Sequence, residues 1–213
     1  MEEVLENSNQ INFNNKKRKK KKNTIILVTI GIFLVIGVVL GVMKYQQNQT
    51  EKKNAEYAII LAETTVDMYF EFIISNYLVI SYSDIWENAI DLDIDFNDAV
   101  NSYKDAVSEK GVFEEREKEK DGLRNNMKLL QNPPTEYMES YIVLKQMYGI
   151  YSKMYEQSLS PTGSLVDFNR KTNDLTSQYE QLQEELLITL PADVKELKDR
   201  YEKEKNEEVK DDL

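Results

Sequence analysis

Apolar positions in this chain form one unbroken run and then a series of interrupted stretches with helical spacing. The run, Thr24 to Met43, reads TIILVTIGIFLVIGVVLGVM and carries no charge. At about 1.5 Å of rise per residue, twenty residues cover roughly 30 Å, the depth of a bilayer's hydrocarbon core. The pattern predicts a transmembrane helix over residues 23–44. Residues 45–54 are polar on every side and lack Gly and Pro, which predicts a helical stalk.

From Ala55 the apolar residues recur in fours and threes: Ala55, Ile59, Ala62, Val66, Tyr69, Ile73, Tyr77 and Ile80. This 3.5-residue seam predicts a long first helix, continuing through Trp86 and Ile90 to the acidic loop Asp91-Leu92-Asp93-Ile94-Asp95. A second helix carries Phe96, Ala99 or Val100, Tyr103 and Val107 on one side, and Gly111 stops it. The third, about Phe113 to Gln131, is charged early and apolar late, at Leu123, Met127 and Leu130, so its first half is expected to face solvent. Pro133-Pro134 ends it.

A fourth helix shows two seams: Tyr137, Tyr141, Leu144, Tyr148, Tyr151, Tyr155 and Leu159, and beside them Val143, Met147, Ile150 and Met154. Two seams predict burial on two sides, and they assign the tyrosines to the core rather than to an external groove. Ser160-Pro161-Thr162-Gly163 reads as a turn, and Ser164 with Asp167 three residues on reads as an N-cap. The fifth helix has its seam at Leu165, Phe168, Leu175, Tyr179, Leu182 and Leu186 and closes at Pro191. Residues 191–213 hold too few apolar positions for a core and read as a charged tail. The expected fold class is all-α: one N-terminal transmembrane helix, then an extracytoplasmic up-and-down bundle of four to five helices over residues 55–190.

Charge sets the orientation. Lys16, Lys17, Arg18, Lys19, Lys20, Lys21 and Lys22 abut the run, and cationic flanks stay on the cytoplasmic side. Residues 1–22 are therefore expected as a basic cytoplasmic tail, with the C-terminal domain outside the cell membrane and the lysines against lipid headgroups. A cleaved signal peptide would need an apolar run of about 7 to 15 residues ending in a small-residue cut site, and neither is present. Of the total charge of −11, residues 1–22 contribute seven bases and three acids, or +4, which leaves −15 for residues 23–213. So acidic a domain repels nucleic acid.

Chemistry-bearing motifs are sparse. With no cysteine there is no disulfide or thiolate metal site, and with no histidine the usual general base and zinc ligand are missing. Asp91, Asp93 and Asp95 imitate the start of a calcium loop, but Phe96 stands where glycine is needed and Ser102 where a bidentate Glu belongs. Asp95 is expected to cap the second helix instead. The run from Glu114 to Asp121 has interleaved lysines and reads as a salt-bridged solvent face. Gly37 and Gly41 form a G-x-x-x-G pair, which allows a homodimer through the transmembrane helix, although Phe33 and Ile30 crowd that face. No cofactor, metal or catalytic residue is expected.

Three stretches resemble a family of uncharacterised secreted or membrane-tethered helical proteins of low-GC Gram-positive bacteria and their mobile elements. They are Trp86-Glu87-Asn88-Ala89-Ile90, Asp95-Phe96-Asn97-Asp98-Ala99, and Asn132-Pro133-Pro134-Thr135-Glu136-Tyr137 running on to Ser160-Pro161-Thr162-Gly163-Ser164-Leu165 and Phe168-Asn169. The resemblance covers about a third of the chain and implies the architecture alone, with no activity. The expected function is a non-catalytic interaction module binding an envelope, wall or membrane-protein partner. The alternative is a small-ligand sensor domain acting through a separate signalling protein.

Overall fold

Helix boundaries follow local chemistry. In this computed structural model, which describes the backbone of residues 2–211 and the side chains of residues 38–207, the elements are α1 (Glu2–Asp91), α2 (Phe96–Glu109), α3 (Val112–Leu129), a 3-10 turn (Thr135–Tyr137), α4 (Met138–Leu159), α5 (Leu165–Thr189) and α6 (Ala192–Asp211). No strand occurs among the described residues, and the class is all-α. Asp95 accepts hydrogen bonds from the Asn97 and Asp98 amides, at 2.8 and 3.3 Å, and so caps α2. Gly111 takes φ = 75°, a left-handed turn that costs an L side chain energy, and it separates α2 from α3. The Asp167 amide donates to Ser164 Oγ at 3.1 Å, which starts α5.

The chain divides into two units, residues 1–53 and 54–213. Among the described residues no helix is long and apolar enough to cross a membrane. Thr24 to Gly37, most of the expected span, lies outside the residues whose side chains are described, as do Lys16 to Lys22.

Within the second unit, α4 is the enclosed helix. Val143, Leu144, Met147, Ile150, Tyr151, Met154 and Tyr155 are all buried, and α5 is its closest neighbour. From α5 come Phe168, Leu175, Tyr179 and Leu186, with the Tyr179 ring stacked on Phe72 of α1 at 3.7 Å. Trp86 of α1 stacks on Phe96 at 4.9 Å, tying α2 to the end of α1. Tyr57 donates to the Leu130 carbonyl at 3.0 Å, tying the start of the bundle to the end of α3.

Three expectations need correction. On α1 the core face is Tyr57, Ala58, Leu61, Met68, Phe72, Val79, Tyr82 and Trp86; of the expected seam Ala62 and Val66 are buried, whereas Ile59, Ile73, Tyr77 and Ile80 are exposed. The helix has a second apolar stripe, and the inward one is interrupted by Thr65, Glu71 and Ser75, all buried. Residues 191–213 are more than a charged tail: Val194 is fully buried and Leu197 packs on the core. Tyr137 donates to Asp193 at 2.9 Å and Lys205 pairs with Asp67, so α6 is fastened by polar contacts that a count of apolar residues overlooks. Finally, the first half of α3 does not simply face solvent, because Arg116 is buried.

The tyrosine stripe of α4 is mostly interior: Tyr137, Tyr151 and Tyr155 are buried and Tyr141 and Tyr148 half-buried. Tyr151→Ala is expected to cost about 3 to 5 kcal/mol, the range for deleting a large buried aromatic, and Tyr148→Ala clearly less. Thermal unfolding followed by circular dichroism separates them, and equal losses would contradict the burial order. Ending the chain before Ala192 is expected to lower the melting temperature by about 5 °C or more, since Val194 and the α6 ties are lost. An unchanged melting temperature would show that α6 adds nothing.

Candidate functional site

The most unusual chemistry in the bundle is a charge placed in its interior. Arg116 of α3 is 2% exposed and reaches between α1 and α4. Its Nε lies 3.5 Å from Glu71 Oε2, one Nη donates to Ser158 Oγ at 2.9 Å, and the other Nη donates to Ser75 Oγ. The two hydroxyls pass their own protons to backbone carbonyls, Ser75 to Glu71 and Ser158 to Tyr155, each at 2.7 Å. The guanidinium also sits 4.7 Å above the Tyr155 ring, which Lys120 approaches to 4.0 Å. Both partners are thus charge-bearing and dry, an arrangement in which desolvation competes with the attraction.

Burial decides the balance for the carboxyl. Desolvation pushes Glu71 up to about 7, the Arg116 guanidinium pulls it back, and Glu119 pushes it further up. The hydroxyls of Tyr82, Tyr151 and Tyr179 are buried and make no hydrogen bond among the described residues. Burial raises all three, Tyr82 to about 12. The centre thus joins a buried guanidinium, a carboxyl raised by burial and three buried phenols that stay protonated. Its contacts link α3 to α1 and to α4.

Sequence-singled residues fall elsewhere. Asp91, Asp93 and Asp95 are exposed, and among the described residues no group of three or more acidic side chains converges on a metal-sized site. Gly37 lies outside the described side chains, and around Gly41 there is open space. Beside it Val38, Val39, Leu40, Val42 and Met43 are 50 to 66% exposed, on all sides of the helix. Glu71, Ser75, Arg116 and Ser158 were invisible to spacing arguments, because Arg116 stands in a charged run, Ser158 in the polar end of α4, and Glu71 and Ser75 in a mostly apolar stretch.

Two surface features remain. A cleft of about 360 Å³ lies at the α4–α5 turn, lined by Glu156, Gln157, Asp167, Arg170, Lys171 and Asp174. The Gln157 amide donates to Phe168 O at 3.2 Å and Thr172 Oγ1 at 2.5 Å, which leaves its Oε1 buried without a partner among the described residues. The second feature is the outer stripe of α1. Its first half, Ile59 to Phe70, runs beside α6, where Leu197, Arg200 and Tyr201 share a groove with Ile59 and Ala62, and Lys205 lies 5.9 Å from the Phe70 ring. Its second half is bare: Ile73 is 44%, Tyr77 67% and Ile80 47% exposed.

The chain matches no known family, no curated protein and no solved structure. The reading therefore rests on these features alone.

The raised Glu71 has a testable sign. A carboxyl whose folded-state value is about 7, against 4.5 in the open chain, binds protons more tightly when folded, so stability rises as pH falls from about 7 towards 4.5 and is level above 7. Around it stand Arg116 and Glu119 of α3, Lys205 of α6 and Tyr151 and Tyr155 of α4. Glu71→Gln is expected to flatten that slope and, at pH 8, to remove a penalty on the order of 3 kcal/mol, offset by the weaker hold on Arg116. Arg116→Met, which strands the carboxylate, is expected to cost about 3 to 5 kcal/mol at pH 8 and less at pH 5. Urea titrations at the two pH values measure both, and an Arg116→Met loss that grows on acidification would contradict the assignment.

Proposed function

We propose that the protein is a membrane-anchored, extracytoplasmic helical interaction module that works without catalysis. The observation that carries the interaction reading is the second half of the α1 stripe, where Ile73, Tyr77 and Ile80 are left in water, whereas Ala62 and Val66 of the first half are buried and α6 runs beside them. The anchor reading is supported by the uncharged run from Thr24 to Met43, by the lysines before it, and by Val38 to Met43, apolar on all sides and exposed. In this reading residues 1–22 are cytoplasmic, residues 23–44 span the cell membrane and the bundle lies outside. Partners are the lipid bilayer and an envelope, wall or membrane protein, with nucleic acid disfavoured by the acidic exterior.

A second reading, a small-ligand sensor, is favoured by the α4–α5 cleft with its buried Gln157 amide and mixed charges, a setting suited to a small zwitterion.

A photoreactive p-benzoylphenylalanine in place of Tyr77, in the full chain in its native cells, tests the first reading. It is expected to yield a protein adduct that external protease destroys, whereas the same group at Lys118, an exposed polar position, yields none. No adduct at Tyr77 would remove the interaction reading, and an adduct that survives until the membrane is lysed would reverse the orientation.

A further inference from the structure

Half of the covered positions of α6 are charged. Val194, Leu197 and Tyr201 are interspersed along that side with Lys198, Glu202 and Lys205, all of them buried or half-buried. What they lie on is mostly apolar: Val66 and Tyr69 of α1, Met147 of α4 and Leu186 of α5 wall a cavity of about 20 Å³ that Lys198 and Glu202 close from the α6 side. Towards the start of the bundle, Ile59 and Ala62 of α1 share a groove of about 220 Å³ with Leu197 and Tyr201. Two voids along one contact mark a poor fit, since well-packed interiors leave few gaps as large as a water molecule.

The charges do little to hold α6 down. Lys198 pairs with Glu202 at 2.7 Å and with Asp199 at 3.6 Å, all within α6, so it keeps these partners when the helix lifts away and regains water besides. Attachment is uneven along the helix. In the first turn Val194 is fully buried and Tyr137 donates to Asp193, whereas farther along Lys205 meets Asp67 in a partly exposed ion pair, a kind of contact that adds little. Resting on the interaction reading above, we propose that α6 is an autoinhibitory strap: hinged at Val194, it lies on the first half of the α1 stripe whose second half is bare, and its release opens Ile59 to Ile80 as one face that an amphipathic helix of the partner occupies in its place.

Size and chemistry favour the exchange. Ile73, Tyr77 and Ile80 alone make a patch of roughly a few hundred Å², below the roughly 800 Å² per partner of a standard stable interface. With α6 lifted, Ile59, Ala62, Val66 and Phe70 join them, and at about 1.5 Å per residue the stripe from Ile59 to Ile80 runs for roughly 30 Å. A helix laid in a groove makes a contact of that form. α6 itself shows that the groove accepts a helix, and a partner that sets Leu or Ile where α6 sets Lys198 and Glu202 buries, against Val66, Met147 and Leu186, apolar area that α6 forgoes.

In the full chain in its membranes, the amides of Leu197 to Glu207 are expected to exchange with deuterium at least about a hundredfold faster than those of Met147 to Tyr155, because the strap opens without the core. Two changes move it in opposite directions. Lys205→Glu sets acid against Asp67 and is expected to raise the photoadduct yield of benzoylphenylalanine at Tyr77 about threefold or more, while Lys118→Glu, the same charge change at an exposed position, leaves it level. Asp67→Cys with Lys205→Cys, joined by a short bismaleimide in a chain that has no other cysteine, holds α6 down and is expected to lower the yield about threefold or more. Circular dichroism of each variant checks that the bundle stays helical. Exchange in α6 as slow as in α4, or an adduct at Tyr77 that neither change moves, overturns the strap and leaves the interaction reading standing. No adduct at Tyr77 in any of these chains removes both.

Discussion

An arginine inside a helical bundle has to find its partners without water, and Arg116 of α3 finds them on two other helices, its Nε facing Glu71 Oε2 without a hydrogen bond among the described residues. Glu71 and Ser75 come from α1, Ser158 and the Tyr155 ring from α4, and the guanidinium from α3. Sliding α3 by one residue would swing the guanidinium by about 100° and leave a buried cation unpaired, a penalty of several kcal/mol. Leu and Met contacts tolerate such slips far better. We therefore read the pair as the element that specifies which of several similar apolar packings the bundle adopts. Burial opposes the charge on Glu71 and so offsets part of what the pairing contributes.

That directional pin accounts for the two-sidedness of α1. Once Glu71 and Ser75 are turned towards Arg116, helical geometry turns Phe72, Val79 and Tyr82 inward with them and leaves Ile73, Tyr77 and Ile80 on the far side. The bundle then covers part of that far side with α6, whose hold depends on Val194 and Leu197 at one end and on the Lys205–Asp67 pair at the other. A helix as charged as α6 is soluble by itself and binds through stems and ion pairs, so it shields apolar surface without adding much to the core.

How far the sequence foretold this arrangement depended on how evenly each helix spreads its apolar residues. On α4 and α5 the regularly spaced seams are the buried positions, so Val143, Met147, Ile150 and Met154, or Phe168, Leu175 and Tyr179, could be placed from spacing alone, while Ile142, Val166 and Ile188 off those seams are exposed. On α1 apolar residues surround the helix, so period cannot choose between stripes, and the inward one was masked by Thr65, Glu71 and Ser75. Arg116 was hidden for the opposite reason: in a run of Glu and Lys a single buried cation has no distinguishing pattern. The capping positions Asp95 and Ser164 were legible because a cap depends only on neighbours three residues away. Pairings between distant residues, such as Lys205 with Asp67, carry no local signal of any kind.

Two stretches of this chain expose large apolar side chains, and they differ in kind. Val38 to Met43 is apolar around the whole circumference, so no single neighbouring helix could cover it. Ile73 to Ile80 is apolar on one arc only, with Val79 and Tyr82 on the opposite arc buried in the bundle. A bilayer is the wrong partner for such an arc, since lipid would also contact the polar groups to either side, among them Asn76, whose carbonyl accepts from Thr176. A neutral helix matches the arc in width and pitch. In the reading proposed above, the first stretch belongs to the anchor and the second to the interaction surface.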